Sequence, residues 1–258
     1  MKVVFVGAGN LASSMAVAVK KAGHEVLAVF SRTKSSASLL ADKLEAKAVV
    51  EIEELPRDAD IYIVAVKDQV LKPVASRLRT FLSDALIVHT AGTIPMDIIE
   101  KGRRGVIYPM QTFSKQRIVD FSEVPVFVEA KYDDDTFIIK KLSESISGNV
   151  IELDSDKRKL LHLAAVFCCN FSNHCQAVAE KILNDNGIPF NVMLPLVNET
   201  NAKLNILSPK QAQTGPAVRN DRNVMDAHLR LLEKLNYPQF AEIYSLLSES
   251  IQRIANIN

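Results

Sequence analysis

The 258-residue sequence has few of the features that mark several protein classes. Its three cysteines, at positions 168, 169 and 175, form neither an even set nor a Cys-x-x-Cys motif. This argues against a disulfide scaffold and a zinc site, so we expect no metal, cysteines packed in the core and a cytoplasmic location.

Lys and Arg total 31 and Asp and Glu total 30. A net charge of +1 lacks the basic excess that nucleic-acid or anionic-membrane partners require.

Long hydrophobic runs are also absent. No segment reaches the roughly 18 apolar residues of a membrane-spanning helix. The best internal candidate, Leu160–Cys169, is only ten residues long. The N-terminus has the composition of a signal peptide, but Gly7, Gly9 and Asn10 interrupt the apolar run where a turn is expected. The sequence therefore predicts no membrane partner.

The first 150 or so residues alternate between short β-rich runs and helical patterns. The predicted strands are Val3–Val6, Val26–Phe30, Ala48–Val50, Ile61–Val66, Leu86–His89, Val106–Tyr108, Val124–Glu129 and Val150–Leu153. The helices predicted between them are Leu11–Lys21, Lys34–Leu44, Val70–Phe81 and Asp134–Ile146. Continuous apolar strands separated by helices predict an α/β fold with a doubly wound, mainly parallel sheet.

After Leu153 the pattern becomes entirely helical, which predicts an α/β domain over 1–153 and an all-α domain over 154–258. The later helices are predicted over Asp156–Leu183, Phe190–Asn205, Asn223–Asn236 and Gln239–Ala255, with Pro195 kinking the second. The stretch from Leu160 to Phe171 is apolar on nearly every side. Such a helix is usually buried between partners, so we expect a homodimer.

The first informative motif is Gly7-Ala8-Gly9-Asn10-Leu11-Ala12, which lies between the first predicted strand and the first predicted helix. In a G-x-G-x-x-A turn the first glycine permits the tight turn, the second lets the backbone approach a pyrophosphate, and the small last residue lets helix and strand pack. The helix N-terminus attracts phosphate. We expect dinucleotide contacts from Gly7, Ala8, Gly9, Asn10 and Leu11. The alternative is a glycine turn that binds nothing.

The end of the second strand indicates which nucleotide binds. NAD-binding proteins usually carry Asp or Glu there, to bind the ribose 2′-hydroxyl. Here the residues are Ser31-Arg32-Thr33, with no acid. Arg32 can bind a 2′-phosphate, and the two hydroxyls can donate to it, which predicts NADP(H). The alternative is a solvated Arg32 and a Ser31 that caps the next helix.

Two further strand ends should face the cofactor, because ligands bind at the carboxyl ends of parallel strands. They contribute Val66-Lys67 and, within His89–Thr93, the small residues Ala91-Gly92. The small residues would let the backbone approach the nicotinamide ribose. Lys67 can reach a polar substrate group, or it is an ordinary surface lysine.

Five motifs together resemble a known family. They are G-A-G-N-L-A (7–12), H-T-A-G-T (89–93), Y-P-M-Q-T-F (108–113), H-L-A-A-V-F-C-C-N-F (162–171) and T-G-P-A-V-R-N-D (214–221). The whole chain resembles the Rossmann-like NADP-binding oxidoreductases with a helical C-terminal domain of unassigned function. These are related to pyrroline-5-carboxylate reductase and to the deazaflavin-dependent NADP oxidoreductases. The 162–171 and 214–221 motifs are the most specific.

The sequence departs from these relatives at two places. Relatives often have His where this chain has Tyr108, and a tyrosine, with an ordinary pKa near 10, is a weaker acid–base candidate at neutral pH. The 214–221 segment does not match the characteristic C-terminal motif of pyrroline-5-carboxylate reductase. The resemblance therefore implies an NADP-dependent oxidoreductase and supplies no substrate.

The long helix carries three candidate catalytic residues. Measured from His162 at about 100° per residue, Asn170 lies at about 80° and Asn173 at about 20°, so they share one sector. In related dehydrogenases this helix supplies polar groups to the cleft, which makes His162 a candidate proton relay and the amides candidate ligands of a carbonyl or imine. Because 11 residues span roughly 16 Å, His162 and Asn173 cannot both touch one reacting atom. The alternative is a set of buried polar groups satisfied by backbone carbonyls.

Three more residues complete the candidate site. Gln111 follows a strand where a substrate would meet the nicotinamide, and Thr214 can bind substrate or simply end a turn. Arg219 can hold a substrate carboxylate, or it can pair with Asp221, which we expect to cap a helix. The predicted function is hydride transfer between NADP(H) and a small carbonyl or imine substrate that carries a carboxylate. The alternative is a non-catalytic NADP(H) sensor or scaffold.

Overall fold

The structure is a computed structural model that describes residues 1–114, 117 and 119–256, with the side chain of Asn256 left out. It divides into two compact units, Met1–Cys169 and Asn170–Asn258. The first unit holds the sheet with its helices, and the second is helical. The change from α/β to all-helical secondary structure follows the last strand, as the sequence predicts, whereas the two units divide later along the chain.

The first unit is built on one eight-stranded sheet, in the order β3-β2-β1-β4-β5-β6-β7-β8. The strands are β1 Lys2–Val6, β2 Glu25–Phe30, β3 Lys47–Val49, β4 Ile61–Val64, β5 Ile87–His89, β6 Arg104–Pro109, β7 Val126–Ala130 and β8 Val150–Glu152. All neighbouring pairs are parallel except β6 and β7. This confirms the predicted mainly parallel, Rossmann-type fold.

The antiparallel step has a simple cause in the chain between β6 and β7. Within its described residues this connection contains only a short 3-10 helix, Phe121–Glu123. A parallel pairing needs a crossover that returns to the starting edge of the sheet, usually through an α-helix. The connection here supplies none, so β7 runs back along β6.

Helices cover both faces of the sheet. They are α1 Asn10–Lys21, α2 Lys34–Leu44, α3 Asp68–Phe81, α4 Asp133–Glu144 and α5 Ser155–Ala165. One core joins Val3 and Phe5 of β1 to α1, α2 and α4. The alternate residues Val4 and Val6 join α3 on the other face. Because both faces are buried, the central strands β1, β2 and β4 are apolar at nearly every position, which is why they could be recognised in the sequence.

A buried ion pair fixes α5 to the sheet. The Arg158 guanidinium is almost completely buried and pairs with Glu129 of β7, and its Nη2 donates to the carbonyl of Ile94 at 2.6 Å. Ser155, the first residue of α5, donates to the same Glu129 carboxylate at 2.7 Å and accepts from the Met96 N–H at 3.0 Å. A buried charge requires such partners, so this network sets the position of α5 at the sheet edge.

The predicted helix over Asp156–Leu183 is continuous but not uniform. After α5 the chain forms a π-helix over Val166–Phe171 and then α6, Ser172–Asn184. A π-helical turn is wider than an α-helical turn, so the spacing of 100° per residue used for the sequence prediction does not hold through this segment. π-helical segments are rare and often occur at functional sites.

The exposure of this region corrects one expectation. Leu160, Leu163 and Phe167 are exposed within the single chain, so the burial of this helix between partners stays a prediction. All three cysteines are exposed free thiols, not core residues. Sequence periodicity shows that a face is apolar, but it cannot show whether the same chain covers that face.

The second unit contains α6, α7 Leu194–Lys203, α8 Pro209–Ala212, α9 Arg222–Lys234 and α10 Pro238–Asn256. Pro195 does not kink a helix: it lies in the first turn of α7, where a proline is tolerated because the N–H it lacks would have no helical partner. Asp221 caps α9 by accepting from the Val224 N–H at 3.3 Å, as predicted. The described part of this unit buries only three apolar residues, Ala217, Leu232 and Tyr237.

Among the described residues, none of the helices combines the length and the apolar character that a membrane span requires.

His89 ends β5 and organises the loop that follows. Its ring is completely buried; Nδ1 accepts from the Ala91 N–H at 3.2 Å, and Nε2 lies 3.3 Å from the Pro95 carbonyl, to which it can donate. This arrangement requires a neutral imidazole. Burial, together with the nearby Arg158 charge, lowers the pKa of His89 to about 3.

His89 should make stability depend on pH. Its folded-state pKa lies below the unfolded value of about 6.5, so its contribution is fully present above that pH and is lost as the pH falls towards 3. Between pH 7 and pH 5 we expect the free energy of unfolding to fall by about 2 kcal/mol through this group. Urea unfolding of the wild type and of His89→Gln at both pH values measures it. An equal loss in both proteins would contradict the assignment.

Candidate functional site

The carboxyl ends of the central strands form the candidate site. β1 pairs with β2 on one side and with β4 on the other, so the strand order reverses between β1 and β4. In such sheets a dinucleotide lies across the crevice outside the carboxyl ends, at this reversal. The strand ends that meet there are those the sequence singled out.

The glycine turn has the geometry that a pyrophosphate needs. Gly7 has φ +124°, and a Cβ added to it would lie 2.2 Å from the Ala65 carbonyl oxygen. Gly9 has no atom within 4 Å of such a Cβ, so the space above it is open. The next residue starts α1, whose first turn contains no acidic side chain and has no side-chain cap. Its N–H groups and positive dipole end are suited to bind phosphate.

Four neighbours of the glycine turn differ in burial and contacts. Ala12 is completely buried in the core with β1, so a small side chain is required there. Ala8 and Leu11 are half-buried beside it. The Asn10 side chain donates to the Phe113 carbonyl at 3.2 Å and thereby ties α1 to the segment after β6.

The end of β2 lies beside the glycine turn, because the Gly7 N–H donates to the Phe30 carbonyl at 2.8 Å. Arg32 and Thr33 are exposed and Ser31 is half-buried. Thr33 is the N-cap residue of α2, and its hydroxyl donates to Ser36. Arg32 forms no ion pair with any described residue. A cation without a protein partner at this strand end fits the 2′-phosphate of NADP.

The ends of β4 and β5 are connected to each other. Val66 lies against the glycine turn, 3.3 Å from a Cβ added to Gly7. Lys67 is exposed and precedes α3. The Thr93 hydroxyl donates to Asp68, the first residue of α3, at 3.2 Å. Ala91 is half-buried and Gly92 buried, so the backbone after β5 lies close to other groups.

The groups closest to Gly92 are His162 and Tyr108. A Cβ on Gly92 would lie 2.5 Å from His162 Nδ1 and 3.1 Å from Tyr108 Cε2. The Tyr108 hydroxyl lies 3.0 Å from His162 Nδ1, at hydrogen-bond distance. The structure thus brings together a residue of α5, the end of β6 and the loop after β5. Burial raises the pKa of Tyr108 above its usual range, and the Arg158 charge partly offsets that effect.

The remaining candidates lie in three places. Gln111 is exposed after β6, and its side-chain oxygen accepts from the Thr112 N–H at 2.8 Å. In the second unit, Asn170 lies in the π-helical segment, Asn173 lies in α6, and both are exposed. Thr214 and Arg219 are also exposed there. Their roles in a site remain predictions.

Arg219 does not form the ion pair with Asp221 that the sequence offered as an alternative, within the described residues. Asp221 caps α9, and no ion pair between it and Arg219 occurs in the described part of the chain. Asn220 separates them with φ +53°. Arg219 therefore stays available to an anionic ligand.

Sequence reasoning missed the Tyr108–His162 pair and the Arg158 network. One sequence signal was available for Arg158. It precedes His162 by four residues, so the two side chains lie one turn apart on the same face of α5. The resemblance singled out position 108, but nothing in the sequence linked Tyr108 to His162, because the two residues are 54 positions apart in the chain. Among the described residues, no group of three or more His, Cys, Asp or Glu side chains could hold a metal ion.

Comparison with known proteins gives two family matches. Residues 2–92 match the family described as NADP oxidoreductase, coenzyme F420-dependent, and residues 124–251 match a domain of unknown function, DUF2520. No protein of curated function matches the chain significantly.

Solved structures match over nearly the whole chain. A Bacteroides fragilis protein described as a "putative NADP oxidoreductase" is 45% identical, with 98% of each chain covered and a TM-score of 0.92. The protein TM1727 from Thermotoga maritima is 25% identical over 96% of this chain and 99% of that one, with a TM-score of 0.77. An imine reductase from Myxococcus stipitatus, in complex with NADP⁺, has a TM-score of 0.69 at 18% identity over 98% and 95%, and shares the fold.

The geometry and the comparisons agree on the cofactor. The open glycine turn, the acid-free start of α1 and the unpaired Arg32 fit NADP. NADP is the cofactor of the matched oxidoreductase family. The chain belongs to the family of NADP oxidoreductases in which a domain of the coenzyme F420-dependent type is followed by a DUF2520 domain.

Proposed function

We propose that this protein transfers a hydride between NADP(H) and a small carbonyl or imine substrate that carries a carboxylate. The observation that carries the proposal is the position of His162 and Tyr108 against Gly92, at the carboxyl edge of the sheet that also carries the dinucleotide turn. The nicotinamide supplies or accepts the hydride, and the protein orients the substrate and handles the proton.

The nucleotide contacts follow from the strand ends. The backbone of Gly7, Ala8, Gly9, Asn10 and Leu11 approaches the pyrophosphate at the start of α1. Ser31, Arg32 and Thr33 bind the 2′-phosphate. Val66, Lys67, Ala91 and Gly92 lie along the nicotinamide half of the nucleotide, on the β4 and β5 side of the reversal.

The substrate contacts come from polar side chains with free hydrogen-bonding capacity. Asn170, Asn173, Gln111 and Thr214 can bind the oxygen or nitrogen of a carbonyl or imine. His162 takes part in proton transfer. Arg219, which is exposed and has no ion-pair partner in the described residues, holds a carboxylate in a bidentate contact. The shared fold with an imine reductase supports a C=N or C=O bond as the reacting group.

We also propose that the helical unit forms a homodimer, in the cytoplasm, where its three exposed cysteines stay reduced. A unit of this size that buries three apolar residues cannot be stable on its own core. Leu196, on α7, is 60% exposed and Leu246, on α10, is 68% exposed. Apolar exposure of this kind marks an interface, and a second copy of the same chain is the commonest partner.

The cofactor assignment predicts a selective effect of Arg32→Ala. NADPH affinity should fall about 10- to 100-fold, the worth of roughly 1.5–3 kcal/mol for hydrogen bonds to a charged group. NADH affinity should not change, because NADH lacks the 2′-phosphate. Titration of both proteins with both nucleotides, followed by nucleotide fluorescence, measures this. An equal loss for the two nucleotides, or no loss for either, would place the 2′-phosphate elsewhere.

The substrate assignment predicts that Arg219→Ala discriminates between two probes. For 1-pyrroline carrying a carboxylate, KM should rise by about 10- to 100-fold, whereas for 1-pyrroline itself it should not change. Asn170→Ala should lower turnover of both probes while NADPH binding stays intact. The measurement is steady-state oxidation of NADPH. Tight NADPH binding without turnover of any carbonyl or imine would instead favour the sensor or scaffold.

The proposed dimer predicts that the molecular mass in solution depends on exposed leucines of the helical unit. Light scattering of the wild type should give twice the chain mass, and Leu196→Glu with Leu246→Glu should give a monomer, because burying the new charges is costly. Leu39→Glu is the matched control, since Leu39 is 67% exposed but lies on α2 in the first unit. A monomeric wild type would refute the dimer.

A further inference from the structure

The Tyr108–His162 pair is held in one geometry by its surroundings. Tyr108 is buried in β6 and its ring packs 6.4 Å from the ring of Phe127. Its hydroxyl lies 3.0 Å from His162 Nδ1, and the two rings meet edge to face with centroids 6.0 Å apart. Both residues belong to the first unit. A tyrosine with its ring packed and its hydroxyl paired has little freedom to turn elsewhere.

Gly92 places this pair beside the nicotinamide half of the proposed nucleotide site. Any side chain at 92 would collide with His162 Nδ1, 2.5 Å from an added Cβ. The backbone after β5 therefore lies directly against both rings. A dinucleotide that starts at Arg32 beyond β2 and crosses the reversal at β1 reaches β4 and β5 with its nicotinamide. The pair and the reacting carbon would then lie at the same strand ends.

The charges near Tyr108 suit a proton donor. The hydroxyl is buried, so its neutral form persists at neutral pH. Of the groups that act on it, the Arg158 cation favours a phenolate, whereas Cys169 disfavours one. Arg158 is itself fixed by Glu129 and the Ile94 carbonyl. A phenolate formed during turnover would thus be stabilised by a cation that does not move and by an N–H on His162.

We propose that Tyr108 is the catalytic proton donor for this reduction and that His162 is the positioning residue that holds and stabilises its phenolate. The proposal rests on the function proposed above. The substrate carbon gains a C–H bond as hydride leaves the reduced nicotinamide, and the C=N or C=O π bond breaks. The Tyr108 O–H bond breaks as its proton forms the new N–H or O–H bond. The phenolate regains a proton from water after the product leaves.

A tyrosine remote from the nicotinamide would form the same hydrogen bond to His162, but its phenol would not respond to the charge of the nicotinamide. The ring is positively charged in NADP⁺ and neutral in NADPH. A unit charge about 10 Å away in a protein shifts the midpoint of a titrating group by roughly one pH unit. A tyrosine that reaches the reacting atoms must sense this difference.

The test follows the titration of Tyr108 in each complex. The five tyrosines are replaced by 3-fluorotyrosine, whose more acidic phenol titrates while the protein is folded. Fluorine NMR gives one signal per tyrosine, and Tyr108→Phe identifies the signal of interest. We expect the Tyr108 midpoint to be lower by about one pH unit with NADP⁺ than with NADPH. Tyr132, 51% exposed in the same unit, is the matched control and should not change.

The outcomes separate this proposal from the one it rests on. If both nucleotides bind and the Tyr108 midpoint is the same in both complexes, Tyr108 is not the donor, and the proposed oxidoreductase function stands. If neither nucleotide binds, both proposals fail.

Two variants test the role of His162. His162→Leu removes the hydrogen bond, so the Tyr108 midpoint in the NADP⁺ complex should rise by about one pH unit. His162→Gln keeps an N–H donor and should restore it towards the wild-type value. Midpoints equal to the wild type in both variants would show that His162 does not stabilise the phenolate. If the Tyr108 midpoint rises in both variants, hydrogen bonding is overturned as the cause, because the glutamine keeps an N–H donor.

Discussion

The ion pair between Arg158 and Glu129 is the interaction on which the candidate site depends. It joins α5 to β7, and through the Ile94 carbonyl it also holds the loop after β5. A guanidinium without these partners could not stay buried, since an unpaired charge in a protein interior costs several kcal/mol. Because α5 cannot shift along the sheet, His162, one turn further on, stays against Gly92.

The same cation shapes the chemistry around it. Its charge acts on two neighbours at the ends of adjacent strands, His89 of β5 and Tyr108 of β6. At His89 the charge adds to burial and keeps the ring neutral, so the ring can accept from the Ala91 N–H and organise the loop. At Tyr108 the charge opposes burial and favours a phenolate. Arg158 thus helps to organise the loop after β5 and also favours the phenolate of Tyr108.

The helical part of the chain presents a different physical situation. The sheet is covered on both faces and its core is complete within the first unit. The described part of the second unit buries few apolar residues, and its helices α7 and α10 expose leucines. The first unit therefore has a complete core of its own, whereas the small core of the second unit is the observation behind the proposed self-association.

The sequence by itself determined the sheet, its mainly parallel order and the nucleotide turn. These depend on local signals: apolar strands, a glycine that must have positive φ at position 7, and an arginine where an acid is expected. The tertiary structure alone decided the pairing of Tyr108 with His162, the Arg158 network and the exposure of Leu160. Those features join residues distant in the chain, or depend on which surface covers a face, and periodicity carries no information about either. The wider turn of the π-helix between His162 and Asn170 likewise has no sequence signature.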